Sequence, residues 1–120
     1  MSRILAVDDS PSMRQMVAFT LRSAGFDVVE AEDGAVALGM AKKEKFKLAV
    51  IDINMPNMDG MALIRALRAE PDYKFTPLLM LTTEAAAERK QEGKAAGATG
   101  WIVKPFNPEQ LVATIKRVLG

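Results

Sequence analysis

The sequence predicts an α/β fold built on a parallel sheet, and three observations predict it. Short apolar runs recur at residues 4–7, 27–31, 48–51, 78–81 and 101–103. They are continuous rather than alternating, the pattern of strands covered on both faces. Stretches of helical length with punctuation at both ends separate them, so strand and helix alternate five times over.

The helices can be justified in order. In the first, Ser10 can N-cap, Pro11 suits the first turn, and Met13, Met16, Val17, Thr20, Leu21 and Ala24 share one face before Gly25 supplies a left-handed stop. The second, about 33–43, packs Val36, Ala37, Met40 and Ala41, and the third, about Gly60–Ala69, offers Leu63, Ile64 and Leu67. The fourth, 85–96, has alanines among charged residues and no large aliphatic side chain, so weak anchorage to the core is expected. Asn107 and Pro108 open the last helix, whose stripe is Leu111, Val112, Ile115, Val118 and Leu119. The longest irregular stretch, 70–77, reads only as a connection to the fourth strand. The eight methionines are taken mostly as packing, Met13, Met16 and Met40 lying at core spacing.

With 120 residues, 49% of them apolar, the chain can bury one core and is too short for two ordinary domains. No repeat, low-complexity tract or linker breaks the order, so residues 1–120 are expected to form one domain. The absence of cysteine and histidine excludes disulfides, thiolate metal sites, cysteine nucleophiles and the commonest general base. A formal net charge of +1 gives no electrostatic footprint for nucleic acid or an anionic membrane. The first apolar run is too short for a signal peptide and no run could span a bilayer, so a soluble, cytoplasmic protein with protein or small-molecule partners is expected.

In an open parallel sheet, ligands bind beyond the carboxyl ends of the strands, near the point where strand order reverses. The first strand ends in Asp8-Asp9, the third in Asp52 followed by Asn54, the fourth in Thr82-Thr83-Glu84, and the fifth in Lys104-Pro105. Carboxylates, a hydroxyl and an ammonium would meet at one rim. Packed carboxylates repel, and oxygen-only ligands favour a hard divalent ion: Mg²⁺, Mn²⁺ or Ca²⁺. Lys104 would counter phosphoryl charge, and Thr82 could donate to a phosphoryl oxygen. Capping is a poor account of Asp8 and Asp9, because Ser10 and Pro11 already cap. Thr83 competes with Thr82, since periodicity does not separate neighbours at a strand end. Trp101, the single tryptophan, reads equally as a half-buried cover for the last strand.

These residues resemble the receiver domains of response regulators, in particular the CheY-like chemotaxis subgroup. The resemblance covers essentially the whole chain and rests on four separated motifs: Val7-Asp8-Asp9-Ser10, Asp52-Ile53-Asn54-Met55-Pro56 with Asp59-Gly60, Leu81-Thr82-Thr83-Glu84, and Val103-Lys104-Pro105-Phe106. It implies a flavodoxin-like, doubly wound sheet of five strands in the order 2-1-3-4-5 with five helices, an order CheY itself exemplifies. It implies that Asp52 is the phosphoacceptor and that Asp9, Asp52 and the backbone carbonyl of Asn54 hold one Mg²⁺, Asp8 assisting one layer out. Thr82, chosen over Thr83 by the family pattern Thr-x-Glu, and Lys104 then hold the phosphoryl group. Asn54 and Glu84 tune its lifetime, Trp101 takes the place of a rotameric tyrosine, and the Lys104–Pro105 bond is cis.

The donor implied is a phosphohistidine on a sensor kinase, or a small acyl phosphate. The output is binding to a target protein, the flagellar motor switch in the chemotaxis subgroup, with a phosphatase as a further partner. Such a stand-alone shuttle is no enzyme in the ordinary sense, catalysing only its own aspartyl phosphorylation and dephosphorylation.

Three alternatives compete. A haloacid-dehalogenase-type phosphohydrolase needs a second aspartate two residues after the nucleophile, where this chain has Asn54, and no cap domain is evident. A nucleotide-binding domain needs glycines that the turn Asp8-Asp9-Ser10-Pro11 lacks. The presence of all the motif residues weighs against a binding module that never needs phosphorylation.

Overall fold

A computed structural model of the chain describes residues 3–53, 55, 58–82, 87–104 and 106–119, the side chains of 87–89 excepted. The apolar runs form β1 (Arg3–Val7), β2 (Asp27–Ala31), β3 (Leu48–Asp52), β4 (Leu78–Thr82) and β5 (Gly100–Val103). The segments between and after them form α1 (Pro11–Ser23), α2 (Gly34–Lys43), α3 (Gly60–Ala69), α4 (Ala87–Ala96) and α5 (Pro108–Leu119). All strand pairs are parallel, in the order β2-β1-β3-β4-β5. The chain winds from β1 outward to β2 and then returns across β1 to β3. The reversal therefore falls between β1 and β3, at the strand ends that carry Asp8 and Asp52.

Alternation along each strand divides the core between two layers. Ile4, Ala6, Leu48, Val50, Leu79, Leu81 and Ile102 pack under α1 and α5. Leu5, Val7, Ala49, Ile51, Leu78 and Met80 pack under α2, α3 and the end of α4. Side-chain caps close the helices: Ser10, as expected, accepts from Met13 N–H, while Asp33 and Asp59, not foreseen as caps, accept from Val36 N–H and Ala62 N–H. Asn107 accepts the Glu109 N–H at 2.8 Å. Among the described residues, no helix is long and apolar enough to cross a membrane.

Four expectations need correction. Met16 is 44% exposed: α1 buries Val17, Ala18 and Leu21, while Met16 and Phe19 line an open apolar groove of about 680 Å³ beside Val112 and Ala113 of α5. The runs 27–31 and 101–103 are not covered on both faces, because β2 and β5 are the edge strands; in β2 only Val28 and Ala31 are buried, and in β5 only Ile102, Trp101 and Val103 being half-exposed.

Nor is α4 weakly held at its C-terminal end. Gly93 and Ala96 are buried, and the Gly93 backbone lies so close to the Met80 thioether that a β-carbon would overlap it. Small residues here mean close approach rather than poor contact. Gly97 ends the helix at φ +113°, and its carbonyl accepts Arg68 Nε at 2.8 Å.

Finally, 70–77 is more than a connection. It contains a 3₁₀ turn, Pro71–Tyr73, that buries Tyr73. The Tyr73 hydroxyl lies 2.9 and 2.7 Å from the carbonyls of Ala41 and Glu44 and accepts the Phe46 N–H at 3.2 Å. Arg68 Nη1 bonds the carbonyls of Tyr73 and Thr76, both at 2.7 Å, so one guanidinium gathers α3, this loop and the end of α4.

Candidate functional site

Strand register assembles the site. Val7 pairs with Ile51, Asp52 with Leu81, and Thr82 with Val103. Asp8, Asp52, Thr82 and Lys104 thus each stand within one residue of the last paired position on neighbouring strands. The Lys104 N–H donates to the Thr82 carbonyl at 2.7 Å, extending the ladder to the rim itself.

One ligand oxygen from each of Asp8, Asp9 and Asp52 lies within 4.8 Å of the others. Asp8 and Asp52 are buried, and Asp9 is exposed at the mouth. Lys104 Nζ sits 3.2 Å from Asp52 Oδ1 and 3.7 Å from Asp8 Oδ2, its side chain 13% exposed. Among the described residues, three carboxylates stand against one ammonium, and the excess negative charge on a rim that buries Asp8 and Asp52 is costly without a further cation.

Asp8 offers an acceptor that such a cation would fit. Its Oδ1 accepts the Ser10 N–H at 2.9 Å, while its Oδ2 is buried and, among the described residues, has no hydrogen-bond partner. At 3.7 Å, Lys104 is an ion-pair neighbour too distant for a hydrogen bond. An orphaned carboxylate oxygen in an oxygen-only cluster fits a hard divalent ion or a water bound to one. The donor set therefore suits the ion that the sequence implied.

The structure brings Asp8, Asp9, Asp52 and Lys104 together and sets buried Thr82 at the adjoining strand end. Trp101 is elsewhere: it is 41% exposed, with Lys90 Nζ of α4 4.8 Å from its ring centroid. Asn54, Thr83, Glu84 and the Lys104–Pro105 bond lie outside the described residues.

Two further contributors had no role assigned in the sequence reading, although Gly60 stands in one of its motifs. A β-carbon on Gly60 would sit 2.5 Å from the Asp52 carbonyl oxygen and the Ile53 Cα, so α3 can start against the Asp52 backbone only with glycine there. The signal was the Asp59-Gly60 pair, a cap followed by a residue without a side chain. Arg14 bonds the Asp8 carbonyl at 2.8 Å. Nothing within α1 marks it, because the bond reaches a backbone atom of another element.

A family model described as "Response regulator receiver domain" matches residues 4–116. The chain belongs to the response-regulator receiver family. This receiver is 45% identical over 118 residues to the chemotaxis protein CheY-3 of Vibrio cholerae serotype O1, covering 98% of this chain and 88% of the relative. It is 41% identical over 117 residues to the chemotaxis protein CheY of Pseudomonas aeruginosa, covering 97% and 94%. Among solved structures, the chemotaxis response regulator CheY4 of Vibrio cholerae superposes with a TM-score of 0.95 at 57% identity, covering 98% of both chains. The receiver domain of the sensor histidine kinase PA1611 from Pseudomonas aeruginosa PAO1, which has a magnesium ion coordinated in its active-site cleft, superposes with a TM-score of 0.93 at 28% identity, covering 99% and 98%.

The protein is thus a CheY-like response-regulator receiver with an acidic metal-binding pocket at Asp8, Asp9 and Asp52. Receivers are regulators rather than conventional enzymes, which sets the phosphohydrolase alternative aside.

Proposed function

We propose that residues 1–120 act as a single phosphorylation switch in which Asp52 accepts a phosphoryl group from a histidine kinase and the phosphorylated face binds a target protein. The observation that carries the reading is the buried Asp52 carboxylate, gathered with Asp8 and Asp9 and held 3.2 Å from Lys104 at the sheet's switch point. Asp9, Asp52 and the Asn54 carbonyl would hold one Mg²⁺, with Asp8 in support, and the ion would supply charge neutralisation for phosphoryl oxygens.

Asp52 is the nucleophile. One carboxylate oxygen forms a bond to phosphorus as the donor's phosphorus–nitrogen bond breaks and its electron pair returns to the imidazole. Lys104 then exchanges its pairing with Asp52 for the new phosphoryl oxygens, and Thr82 donates a charge-assisted hydrogen bond to one of them. Reversal of the signal is attack by water on phosphorus, which returns the carboxylate and inorganic phosphate; Asn54 and Glu84 would tune that step. Swinging the switch from 1:99 to 99:1 requires about 5 kcal/mol of preference for the active state, more than one hydrogen bond provides. Lys104, Thr82 and the ion must therefore act together.

The chemotaxis relatives support a cytoplasmic pathway with a chemotaxis kinase upstream, the flagellar motor switch as target, and a phosphatase as an additional partner. Intact-mass measurement after incubation with acetyl phosphate and Mg²⁺ tests the core of this reading. Wild type should gain one phosphoryl mass that Asp52→Asn does not; equal labelling of the two would move the phosphoacceptor elsewhere.

A further inference from the structure

We propose that Arg14 is a positioning residue that sets the geometry of the Asp8–Asp9 pair for cation binding. The inference rests on the reading of the acidic triad as a Mg²⁺ site. Arg14 lies in the second turn of α1, its side chain 17% exposed. Its Nη1 donates to the Asp8 carbonyl at 2.8 Å, and its Nε pairs with Glu30 Oε1 of β2 at 3.3 Å.

That carbonyl belongs to the peptide joining Asp8 to Asp9. The peptide is planar, so holding its oxygen fixes the direction in which the chain enters Asp9. Asp8 is also held by its own N–H, which donates to Ala31 at 3.2 Å, and by the Ser10 N–H on Oδ1. Asp9 is exposed at the mouth of the site, so its aim depends on its backbone. Arg14 supplies the constraint on that backbone from the α1 side.

Glu30 in turn orients the guanidinium. Its second oxygen pairs with Arg22 Nη1 at 3.3 Å, and Arg22 Nη2 bonds the Val28 carbonyl at 2.9 Å. The two arginines therefore straddle one glutamate, and each also grips a backbone carbonyl. Only Arg14 grips one at the acid pair. A guanidinium can serve carbonyl and carboxylate at once because its donors form a rigid planar fork, which an ammonium lacks.

Electrostatics alone predicts the opposite consequence. A positive charge near the pocket repels a divalent cation, so removing it should tighten binding; loss of positioning should loosen it. The sign of the change separates the two.

The test is calorimetric titration of the full chain with Mg²⁺ alone, alongside the thermal midpoint of each metal-free variant. Arg14→Lys, which keeps the charge and loses the fork, and Arg14→Gln, which loses both, should each weaken Mg²⁺ binding about tenfold, the lower end for groups that orient metal ligands. Arg22→Gln should stay well inside that tenfold, since Arg14 keeps its own bonds to the Asp8 carbonyl and to Glu30 Oε1 when Arg22 is gone. Either Arg14 variant binding Mg²⁺ as tightly as wild type, or Arg22→Gln weakening it as much, would overturn the proposal. Should Arg14→Gln fail to fold, Arg14→Lys decides alone. A wild type that does not bind Mg²⁺ would instead sink the reading of the triad itself.

Discussion

A missing β-carbon decides how closely the third helix can approach Asp52. At Gly60 the added carbon would lie 2.5 Å from the Asp52 carbonyl oxygen, so Gly60→Ala must displace either the strand end or the helix start. The expected cost is about 1–3 kcal/mol, the range for overpacking, together with slower labelling by acetyl phosphate. Urea unfolding and timed intact-mass spectra would measure both, and an alanine variant matching wild type in each would show that the contact relaxes freely. At this scale the site was legible where chemistry and strand ends coincide: Asp8, Asp9, Asp52, Thr82 and Lys104 each follow an apolar run. Gly60 and Arg14 were not, because their roles depend on distances to backbone atoms of other elements, which no pattern within one segment encodes.

Among the elements, the face of α4, β5 and α5 is the one through which phosphorylation is expected to be read. The C-terminal end of α4 is fixed by Gly93 on Met80 and by Arg68 on Gly97, so any shift of the helix must pivot about that end. Lys90 stands over the Trp101 ring and favours its outward position by a cation–π contact of about 0.5–1 kcal/mol at such a site. Thr82 lies on the strand beside β5, one register position from Trp101's neighbour Ile102. Thr82→Ala is therefore expected to accept phosphate and yet lose most of the phosphorylation-dependent change in Trp101 emission. Full retention of that change in labelled Thr82→Ala would remove Thr82 from the coupling route. The sequence hid this arrangement because apolarity measures what a side chain can bury; it does not measure how close a glycine lets two backbones come.

Over the whole molecule, chemistry and anchorage occupy opposite ends of the sheet. The acids gather at the carboxyl ends of the strands, and Tyr73 and Arg68 tie the loops before β4 and β5. Burial holds the Tyr73 phenol above its ordinary range, although the Phe46 N–H bonded to its oxygen pulls the other way. A group whose pKa is higher in the folded state contributes its full stability below the unfolded value, about 10 for tyrosine, and loses it as pH climbs through the folded value. Thermal midpoints should thus fall more steeply above pH 10 in wild type than in Tyr73→Phe, and parallel curves would exclude Tyr73 as a cause. The fold as a whole was readable because five apolar runs and paired caps agree with one topology. The exposed groove between α1 and α5 was not, since Met16 keeps core spacing while facing a gap between helices.

The seat of Gly93 on Met80 makes that thioether a chemical clock. Its sulfur is sealed beneath α4, whereas Met16 is 44% exposed, so dilute peroxide should convert Met16 to the sulfoxide first and reach Met80 only when the helix lifts. Peptide mass mapping would follow both residues in one sample, Met16 reporting the oxidant and Met80 the lifting rate. Gly93→Ala, whose β-carbon would overlap the flexible Met80 thioether, should turn that side chain out of its seat, speed Met80 oxidation severalfold and leave Met16 unchanged. If Met80 oxidised as fast as Met16 in the native protein, α4 would not be seated there in solution.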